Sequence, residues 1–440
     1  MELLNTITSA ILTALGVFVA FKFVYIVLGI LLKRKEYPDT DERRNMAIII
    51  AARNEAKVIG NLIDSLHKQN YDKDKITIFV VADNCTDNTA EICREMGAIV
   101  YERFDKTKAR KGWGLEFLFD NIERDYGITS FDGFIFFDAD NLVDGNFVME
   151  MNKAAATGVR VAVGYRNTKN FESNFVASAY GIHFCRSTLT YHRGRNWLNC
   201  STHIAGTGYY VASDILKNGW HYHSLTEDAE FTMDLISGGE KVAFVETAEF
   251  YDEQPTSLVV AWKQRLRWTR GRLVCFFKGA GKEIKGLFKG KFLNRWSNYD
   301  NFWYMFPYAL FTFLIGAIYP VTSAIITLIS GQPLPWLFWL KSVGTAIATT
   351  WVSQILIGAL VLIREHKHIK CSVGRQIAYL LLFPWFELIN IPLLICSCFI
   401  DVKWNPIEHK INKKIEMLTD APAAEQPAVE VEEQTTEDVK

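Results

Sequence analysis

The chain has 440 residues, of which 49% are hydrophobic, and its formal net charge at pH 7 is −1. A charge balance this close to neutral supplies no global field for nucleic acid and argues against that class of partner. The eight cysteines are scattered without the paired spacing of a zinc site, so the sequence indicates neither a disulfide framework nor a metal–thiolate cluster.

The first element is a long apolar stretch. Residues 6–32 hold a single charge, Lys22, and are followed by the basic cluster Lys33-Arg34-Lys35. About 20 apolar residues are enough to span a bilayer. Because the basic cluster follows the stretch, the sequence predicts a retained transmembrane anchor and not a cleaved signal peptide. The positive-inside rule then places the following domain in the cytoplasm, at the plasma membrane of a multi-pass protein.

Residues 45–260 form the next unit, and strand-like and helix-like segments alternate along its first half. Short apolar runs predict buried strands, at residues 46–52, 76–84, 98–103 and 134–141. Amphipathic segments with capping residues predict the helices between them, at residues 58–69, 85–97 and 115–124. The alternation predicts βαβ units and a largely parallel sheet, in which ligands bind beyond the carboxyl ends of the strands.

Polar and acidic residues follow three of these strands. Asn54 and Glu55 come after the first, Asp83 lies at the end of the second, and Asp138 and Asp140 follow the apolar run FIFF. Carboxylates at the exit of a buried strand need a positive partner, although Asp-x-Asp-Asn is also good turn chemistry. The chain has no Gly-x-Gly-x-x-Gly after the first strand and no P-loop pattern, which disfavours dinucleotide and P-loop sites.

These acids indicate a metal and phosphate site instead. Carboxylates acting together with substrate phosphates are an economical way to hold Mg²⁺ or Mn²⁺, so Asp138 and Asp140 are the predicted metal ligands. A loop rich in positive charge, ending at Lys111, would face a diphosphate. Diphosphate as a leaving group implies a nucleotide-activated donor.

The motif Thr226-Glu227-Asp228 follows 88 residues after Asp140. A carboxylate beside the donor could take the proton that a sugar acceptor hydroxyl loses as it attacks. The alternative is an ordinary helix start, in which Thr226 caps the helix and the acids occupy its first turn.

A third group of residues lies in the segment VAWKQRLRWTRGR. Gln264 and Arg267 share one helical face, and Trp268 is one turn on from Gln264. The arginine fork suits a diphosphate, and an indole face suits the apolar face of a sugar ring. The alternative is an amphipathic interfacial helix, and the two interpretations are compatible.

The rest of the chain is predicted to be associated with the membrane. Residues 261–300 are strongly basic and interleaved with apolar side chains, which predicts amphipathic interfacial helices. About three spans are predicted in residues 303–400. The last of them contains Pro384 and Pro392 and is interpreted as a re-entrant hairpin that leaves the C-terminus cytoplasmic. Residues 401–440 are predicted to be a basic stretch followed by a disordered acidic tail.

Together, the motifs resemble glycosyltransferase family 2, especially its membrane-embedded processive members such as cellulose synthase. The resemblance covers residues 46 to 270 or so and rests on five segments in the family's order, VADNCTD, KGWGLEF, FFDADN, LTEDAE and QRLRW. It implies a GT-A-type (Rossmann-like) α/β domain in the cytoplasm, fused to α-helical transmembrane segments. It further implies inversion at the anomeric carbon and passage of a polymer through a channel of transmembrane helices.

The resemblance also implies roles for individual residues. Those that would contact the UDP-sugar donor are Asn54, Glu55, Asp83, Lys111, Asp138 and Arg267. The metal ligands would be Asp138 and Asp140, and the catalytic base would be Asp228. Those that would contact the acceptor are Gln264, Trp268, Gly206 and Thr207, although Gly-Thr-Gly is commonly only a turn.

The substrate is less closely defined. Thr-Glu-Asp occurs in cellulose synthases and in poly-N-acetylglucosamine synthases, so it does not separate glucose from N-acetylglucosamine. The number of predicted spans is smaller than in cellulose synthase, which predicts a narrower channel or one completed by a second chain or an accessory subunit. We expect an inverting, metal-dependent processive transferase that polymerises UDP-glucose and contacts membrane lipids. The alternatives are UDP-N-acetylglucosamine as donor, a non-processive transferase that adds one sugar to a lipid carrier, and a transporter or scaffold with a degenerate transferase domain.

Overall fold

The computed structural model describes residues 1–334, 336–402 and 409–419. Its strands are β1 (Met46–Ala52), β2 (Ile76–Asp83), β3 (Ile99–Arg103), β4 (Gly133–Asp138), β5 (Leu142–Val143), β6 (Val161–Thr168), β7 (Tyr209–Ala212) and β8 (Val242–Asp252). The predicted tail, apart from residues 401–402 and 409–419, lies outside the described residues.

The helices surround this sheet and continue beyond it at both ends of the chain. Those of the domain are α3 (Ile59–His67), α4 (Thr89–Glu95), α5 (Lys111–Asp125), α6 (Phe147–Ala156), α7 (Phe175–Ser187), α8 (Arg193–Trp197) and α9 (Glu227–Ser237). Those before and after it are α1 (Glu2–Val19), α2 (Lys22–Leu31), α10 (Leu258–Gly286), α11 (Phe292–Met305), α12 (Tyr308–Ile329), α13 (Trp336–Arg364), α14 (Val373–Leu388), α15 (Asn390–Phe399) and α16 (Glu416–Thr419).

The eight strands form one mixed sheet in the order β3-β2-β1-β4-β7-β6-β8-β5. The first four are parallel, with Ile49 level with Phe79 on one side and with Phe136 on the other. Beyond β4 the sheet becomes mixed, because β7 runs antiparallel to both of its neighbours and β5 runs antiparallel to β8, whereas β6 and β8 are parallel. The predicted alternation of strands and helices is therefore confirmed for the first half of the domain, and the expectation of a largely parallel sheet holds for β1–β4 and for the β6–β8 pair.

Alternate residues of the central strands face opposite layers of the core, as the period of a β-strand requires. Ile48 and Ile50 pack on the layer that includes α3 and α6, whereas Ala47 and Ile49 pack on the layer that includes α5. All four side chains are fully buried. Burial on both faces explains why these strands are continuous apolar runs without alternating polar residues.

In the part of the chain that the structure describes, four helical segments are long and apolar enough to cross a membrane, namely Glu2–Val19, Tyr308–Ile329, Trp339–Arg364 and Val373–Phe399. The predicted anchor at 6–32 consists of two helices, α1 and the shorter α2, and α2 packs on the domain through the buried Tyr25. The main partner of α12 is α1, and no residue of α12 is buried, whereas α13 packs on α14 and α7. The apolar helices are thus distributed in two groups.

The last apolar stretch does not turn back at its prolines. Ile389 joins α14 to α15 in a helical conformation, so the two helices continue end to end. Arg265 and Arg270 of α10 donate hydrogen bonds to the carbonyl oxygens of Phe386 (2.7 Å) and Ser397 (3.0 Å), which aligns this stretch with α10. The predicted hairpin is corrected to a bent helix lying along α10.

The predicted interfacial region at 261–300 consists of α10 and α11. Phe277, Phe288 and Phe292 are at least 65% exposed, and lysines lie between them in the sequence. Large exposed apolar side chains next to cations are typical of a helix that lies at a membrane surface. Nothing in the domain covers this face.

Candidate active site

A cavity of about 360 Å³ opens beyond the carboxyl ends of β1, β2 and β4, where the open-sheet rule places ligands. It brings together residues from seven separate sequence segments. Those predicted above that line it are Glu55, Asp83, Lys111, Asp138, Asp140, Gly206, Thr207, Asp228, Gln264, Arg267 and Trp268. Asn54 is placed differently, because its side-chain oxygen accepts a hydrogen bond from Thr86 N (2.8 Å).

Two arginines hold Asp83 at the end of β2. Arg53 forms an ion pair with its carboxylate and donates to its carbonyl oxygen (2.8 Å), and Arg103 Nη1 donates to Asp83 Oδ1 (2.7 Å). Asp83 as a whole is 5% exposed, so its carboxylate is buried, and the two arginines neutralise its charge. Asp83 therefore has a fixed orientation at the edge of the cavity.

Lys111 links the end of β4 to the loop before β7. Its ammonium group donates to Asp138 Oδ1 (2.5 Å) and to Gly206 O (2.8 Å). Burial opposes the charge, but the carboxylates of Asp138 and Glu227 outweigh it and leave the pKa of Lys111 raised. Lys111 is consequently a permanent cation inside the cavity, suited to a diphosphate.

Asp140 is the more deeply buried acid of the pair, with 3% exposure. Its Oδ2 accepts a hydrogen bond from Glu253 N (3.1 Å), and its pKa is raised because of burial. Nearby, burial also raises the pKa of Asp252 to about 6, even though Arg166 pairs with it. On this side of the cavity, carboxylates outnumber the cationic side chains that neutralise them.

The Gly-Thr-Gly loop, residues 206–208, positions the end of β4. The Thr207 hydroxyl accepts from Asp138 N (2.9 Å) and also bonds to Asn141, so the loop fixes the metal-motif backbone. Gly206 and Gly208 have left-handed φ values of 85° and 65°. The Thr207 hydroxyl thus has a structural role, and its contact with the acceptor stays a prediction.

We expect Gly208→Ala to lower the free energy of unfolding by at least about 2 kcal/mol. A left-handed φ costs a non-glycine residue about 1–2 kcal/mol, and the added Cβ would overlap the Phe250 ring, which adds an overpacking cost. The matched control is Gly158→Ala, where φ is 88° but nothing lies within 4 Å of the new Cβ. Denaturant unfolding measures the free energy of unfolding of both variants. An equal loss of this free energy in the two variants would contradict the packing argument.

Glu227 and Asp228 lie at the start of α9 and line the cavity side by side. Burial raises the pKa of Glu227 to about 7, and burial also raises the pKa of Asp228. An elevated carboxyl pKa in a cleft is what a general base requires for proton transfer near neutral pH. The helix-start alternative describes their backbone positions, but their half-buried side chains line a cavity, which distinguishes them from ordinary capping residues.

One face of α10 forms the wall opposite these acids. Gln264, Arg267 and Trp268 line the cavity together with Arg272, which lies one turn beyond Trp268. Gln264 Oε1 is buried and has no hydrogen-bond partner among residues 1–334, 336–402 and 409–419. A buried acceptor without a donor is unfavourable, so this oxygen indicates a ligand that brings a hydroxyl or an amide.

The sequence did not indicate the polar end of the cavity beyond α10. His203 Nε2 and the Tyr304 hydroxyl are 2.9 Å apart, while His203 Nδ1 and Asn301 Oδ1 are buried without a hydrogen-bond partner among the described residues. These residues come from a loop and from α11, and no motif marks them. Only the four-residue spacing of Arg272 from Trp268, about one helical turn, could have extended the predicted α10 face.

The sequence also missed His409. Its Nδ1 lies 3.0 Å from both carboxylate oxygens of Glu55, and its Nε2 lies 3.9 Å from Asp140 Oδ2. Burial alone would lower the pKa of His409, but the carboxylates of Asp140 and Glu55 outweigh burial and raise it to about 10. Glu55, predicted as a donor contact, thus faces the C-terminal segment.

The acid-rich side of the cavity fits a divalent cation. Among the described residues no three metal ligands are already assembled, since Asp138 is bound to Lys111. Hard cations prefer carboxylate oxygens and complete their coordination with phosphates and water. Asp138 and Asp140 supply such oxygens, and burial raises the pKa of Asp140, so a cation beside it would stabilise its ionised form.

A family model for Glycosyltransferase like family 2 matches residues 43–271, more than half of the chain. The probable glycosyltransferase YdaM of Bacillus subtilis is 24% identical over 387 residues, which cover 82% of this chain and 84% of that protein. A beta-monoglucosyldiacylglycerol synthase of Nostoc sp. is 23% identical, and the match covers 51% of this chain and 48% of that protein.

Two further similarities are informative. A poly-beta-1,6-N-acetyl-D-glucosamine synthase of Staphylococcus aureus is 22% identical, over 54% of this chain and 57% of its own length. The solved structure of the mannosyltransferase PcManGT from Pyrobaculum calidifontis, in complex with GDP-Man and Mn²⁺, has a TM-score of 0.55 and 16% identity. It covers 81% of this chain and 98% of that one. The predicted GT-A-type α/β domain, followed by apolar helices, is confirmed.

Proposed function

We propose that this chain, which belongs to glycosyltransferase family 2 and is therefore a glycosyltransferase, transfers glucose from UDP-glucose with inversion and builds a β-linked polysaccharide at the membrane. The observation that carries the proposal is the convergence of Asp138, Asp140, Asp228 and the Gln264–Trp268 face in one cavity. The acids and cations suit an activated donor, and the α10 face suits an acceptor. UDP-N-acetylglucosamine is the alternative donor.

On the donor side, the residues of the cavity bind and neutralise the diphosphate. Lys111 and Arg267 approach it from opposite walls, and Asp83 contacts the nucleoside at the end of β2. Asp138 and Asp140 would hold Mg²⁺ or Mn²⁺, which supplies charge neutralisation for the departing diphosphate. Because Lys111 is already held by Asp138 and Gly206 O, its ammonium group is oriented before the donor arrives, which lowers the cost of reorganisation.

On the acceptor side, Asp228 removes the proton from the attacking hydroxyl. The base lies at the start of α9, and Gly206 on the adjacent loop leaves space beside Asp228 Oδ2, since a Cβ there would lie 3.6 Å from it. Attack from the face opposite the leaving group inverts the anomeric carbon. Gln264 Oε1, buried without a partner, would accept a hydrogen bond from another hydroxyl of the same acceptor sugar.

We expect Trp268→Ala to raise the acceptor KM roughly fivefold or more while the donor KM stays near its original value. Trp268 lines the cavity and is held edge-on by Tyr180 (6.1 Å between ring centroids). Loss of one aromatic contact costs about 1 kcal/mol of binding free energy, which corresponds to a roughly fivefold change in affinity. Trp268→Phe, which keeps an aromatic ring, is the control, and its acceptor KM should lie between those of the unmodified chain and of Trp268→Ala. Initial-rate kinetics measure all three. A change in donor KM alone would contradict the acceptor role.

A second candidate is the transfer of one sugar to a lipid. It is favoured by the arrangement of the apolar helices, because α12 has no buried residue and packs mainly on α1. If the two groups of apolar helices stay separate, extrusion of a polymer would need a second copy or an accessory subunit. The similarity to a beta-monoglucosyldiacylglycerol synthase supports the same candidate.

Release of the nucleoside diphosphate, UDP or GDP, from a panel of donors tests the donor assignment. The purified chain is given UDP-glucose, UDP-N-acetylglucosamine, UDP-galactose and GDP-mannose in turn, with Mn²⁺ and with either short β-glucans or diacylglycerol as acceptor. We expect the highest acceptor-dependent release with UDP-glucose and a β-glucan. A preference for UDP-N-acetylglucosamine would replace the donor, and a preference for diacylglycerol would favour the second candidate.

A further inference from the structure

The C-terminal segment, defined as residues 409–419, docks on the catalytic domain beside the metal motif. The backbone amides of Lys410 and Ile411 donate to the two carboxylate oxygens of Glu253 (2.9 and 3.1 Å). Ile415 and Leu418 are buried against Leu142, four residues after Asp138, and against Tyr251. Glu253 thus anchors this segment through its side chain and contacts Asp140 through its backbone amide.

Further contacts hold the same segment in one position. Asn61 donates to Asn412 Oδ1 (2.7 Å), and Lys68 pairs with Glu416. The contacts come from α3, from the end of β8 and from the strand after the metal motif. They fix the backbone that carries His409, whose side chain is 22% exposed and lines the cavity.

The two ring nitrogens of His409 have different surroundings. Nδ1 lies within hydrogen-bond distance of both oxygens of Glu55 (3.0 Å), so it carries a hydrogen. Nε2 points toward Asp140 Oδ2 across 3.9 Å, which is too long for a hydrogen bond. Once a cation has displaced the proton that Nε2 carries beside Asp140, His409 donates one N–H to a carboxylate and presents a lone pair to the open position, which is the arrangement that is usual for a metal ligand.

We propose that His409 is a ligand of the divalent cation, binding through Nε2 opposite or beside Asp140, with Glu55 fixing its orientation. The inference rests on the proposed function, because it assigns a further ligand to the cation of that same site. It means that the site is not complete within residues 43–271, which the family model matches. A residue from beyond the apolar helices completes it.

The distances agree with this assignment. Two ligands at about 2.1 Å from one ion lie about 3 Å apart when adjacent and about 4.2 Å apart when opposite. The 3.9 Å between His409 Nε2 and Asp140 Oδ2 falls in that range. Asp138 is bound to Lys111, so an additional ligand for the ion from this chain is chemically useful. An imidazole nitrogen is also softer than a carboxylate oxygen and would favour Mn²⁺ over Mg²⁺.

Pulsed electron paramagnetic resonance of Mn²⁺ bound to the full chain tests the proposal without any turnover. A directly bound imidazole couples its ¹⁴N nucleus to the electron spin of the ion. We expect this coupling in the unmodified protein and its loss in His409→Ala, with Mn²⁺ binding weakened at least tenfold. Glu55→Gln, which keeps the ligand but changes its support, should weaken binding by roughly 10–100-fold and retain the coupling.

Lys414→Ala is the matched control, because Lys414 is an exposed residue of the same segment. It should bind Mn²⁺ as the unmodified chain does and keep the nitrogen signal. Bound Mn²⁺ without ¹⁴N coupling in the unmodified protein would overturn the assignment of His409. So would unchanged Mn²⁺ affinity in His409→Ala.

The outcome is separable from that of the proposed function. If the unmodified chain releases no UDP with any nucleotide-sugar, the proposed function fails, whatever the spectra show. If it transfers sugar in a Mn²⁺-dependent reaction and the spectra lack nitrogen coupling, only the role of His409 fails.

Discussion

Asp228→Asn should reduce the rate of sugar transfer by roughly 10²–10⁴-fold, the usual contribution of a general base. Asparagine has nearly the same shape and caps a helix as well as aspartate does, so the start of α9 should remain intact. It cannot accept the proton of the acceptor hydroxyl. UDP affinity should stay near that of the unmodified protein, because Lys111 and Arg267 are untouched, and calorimetry with UDP beside initial rates measures the two effects.

The matched variant is Glu227→Gln, since Glu227 lines the same cavity and is adjacent in sequence. We expect a much smaller loss of rate from it. If Glu227→Gln abolishes transfer while Asp228→Asn leaves it comparable to the unmodified chain, the base is Glu227.

The pH dependence of the rate gives an independent check on the base. The pKa of Asp228 is raised by burial, so its ionised form is lost as the pH falls through a value above the usual aspartate range. Transfer should therefore be full at high pH and decline on acidification. Asp228→Asn should remove the part of this decline that belongs to the base.

Removal of the cation should have an effect of similar size. We expect excess chelator to abolish transfer, Mn²⁺ or Mg²⁺ to restore it, and Asp140→Asn to lower the rate by roughly 10²–10⁴-fold, because a metal ion supplies several kcal/mol of transition-state stabilisation. Asp140 has 3% exposure and a pKa raised by burial, so it is not a surface acid that a neutral residue could replace without consequence. Rates in chelator and circular dichroism of the variant are the measurements.

Asp120→Asn is the control for this experiment, because Asp120 is an exposed carboxylate on α5, away from the cavity. It should transfer sugar at the original rate. Undiminished transfer in excess chelator, or by Asp140→Asn, would exclude the metal assignment.

The sequence was sufficient to predict the part of the fold that local patterns determine. The run MAIIIAA is a strand because its residues are buried on both faces, and the acids after FIFF lie at a strand end because ionised groups cannot continue into the core. Parallel order then brings Asp83 and Asp138 to one edge of the sheet. The spacing of Gln264, Arg267 and Trp268 also predicted one helical face correctly.

Features that depend on contacts between distant segments were not predictable in this way. The antiparallel insertion of β7 beside β4 involves residues 133 and 212, and nothing local in YYVA indicates its partner. His409 reaches Glu55 across 354 positions, in a segment whose composition reads only as basic. Pro384 suggested a reversal of the chain, but the contacts of α10 with α14 and α15 keep the stretch helical.

The most direct test of the central claim is the length of the first products. Purified full-length chain in lipid nanodiscs is given radiolabelled UDP-glucose with Mn²⁺ and a β-glucan acceptor in excess, and early products are separated by size and analysed for linkage. The account predicts long β-linked glucan chains while most acceptors remain unextended. No transfer of label would contradict a UDP-glucose transferase, and label confined to single glucose units would contradict polymer synthesis.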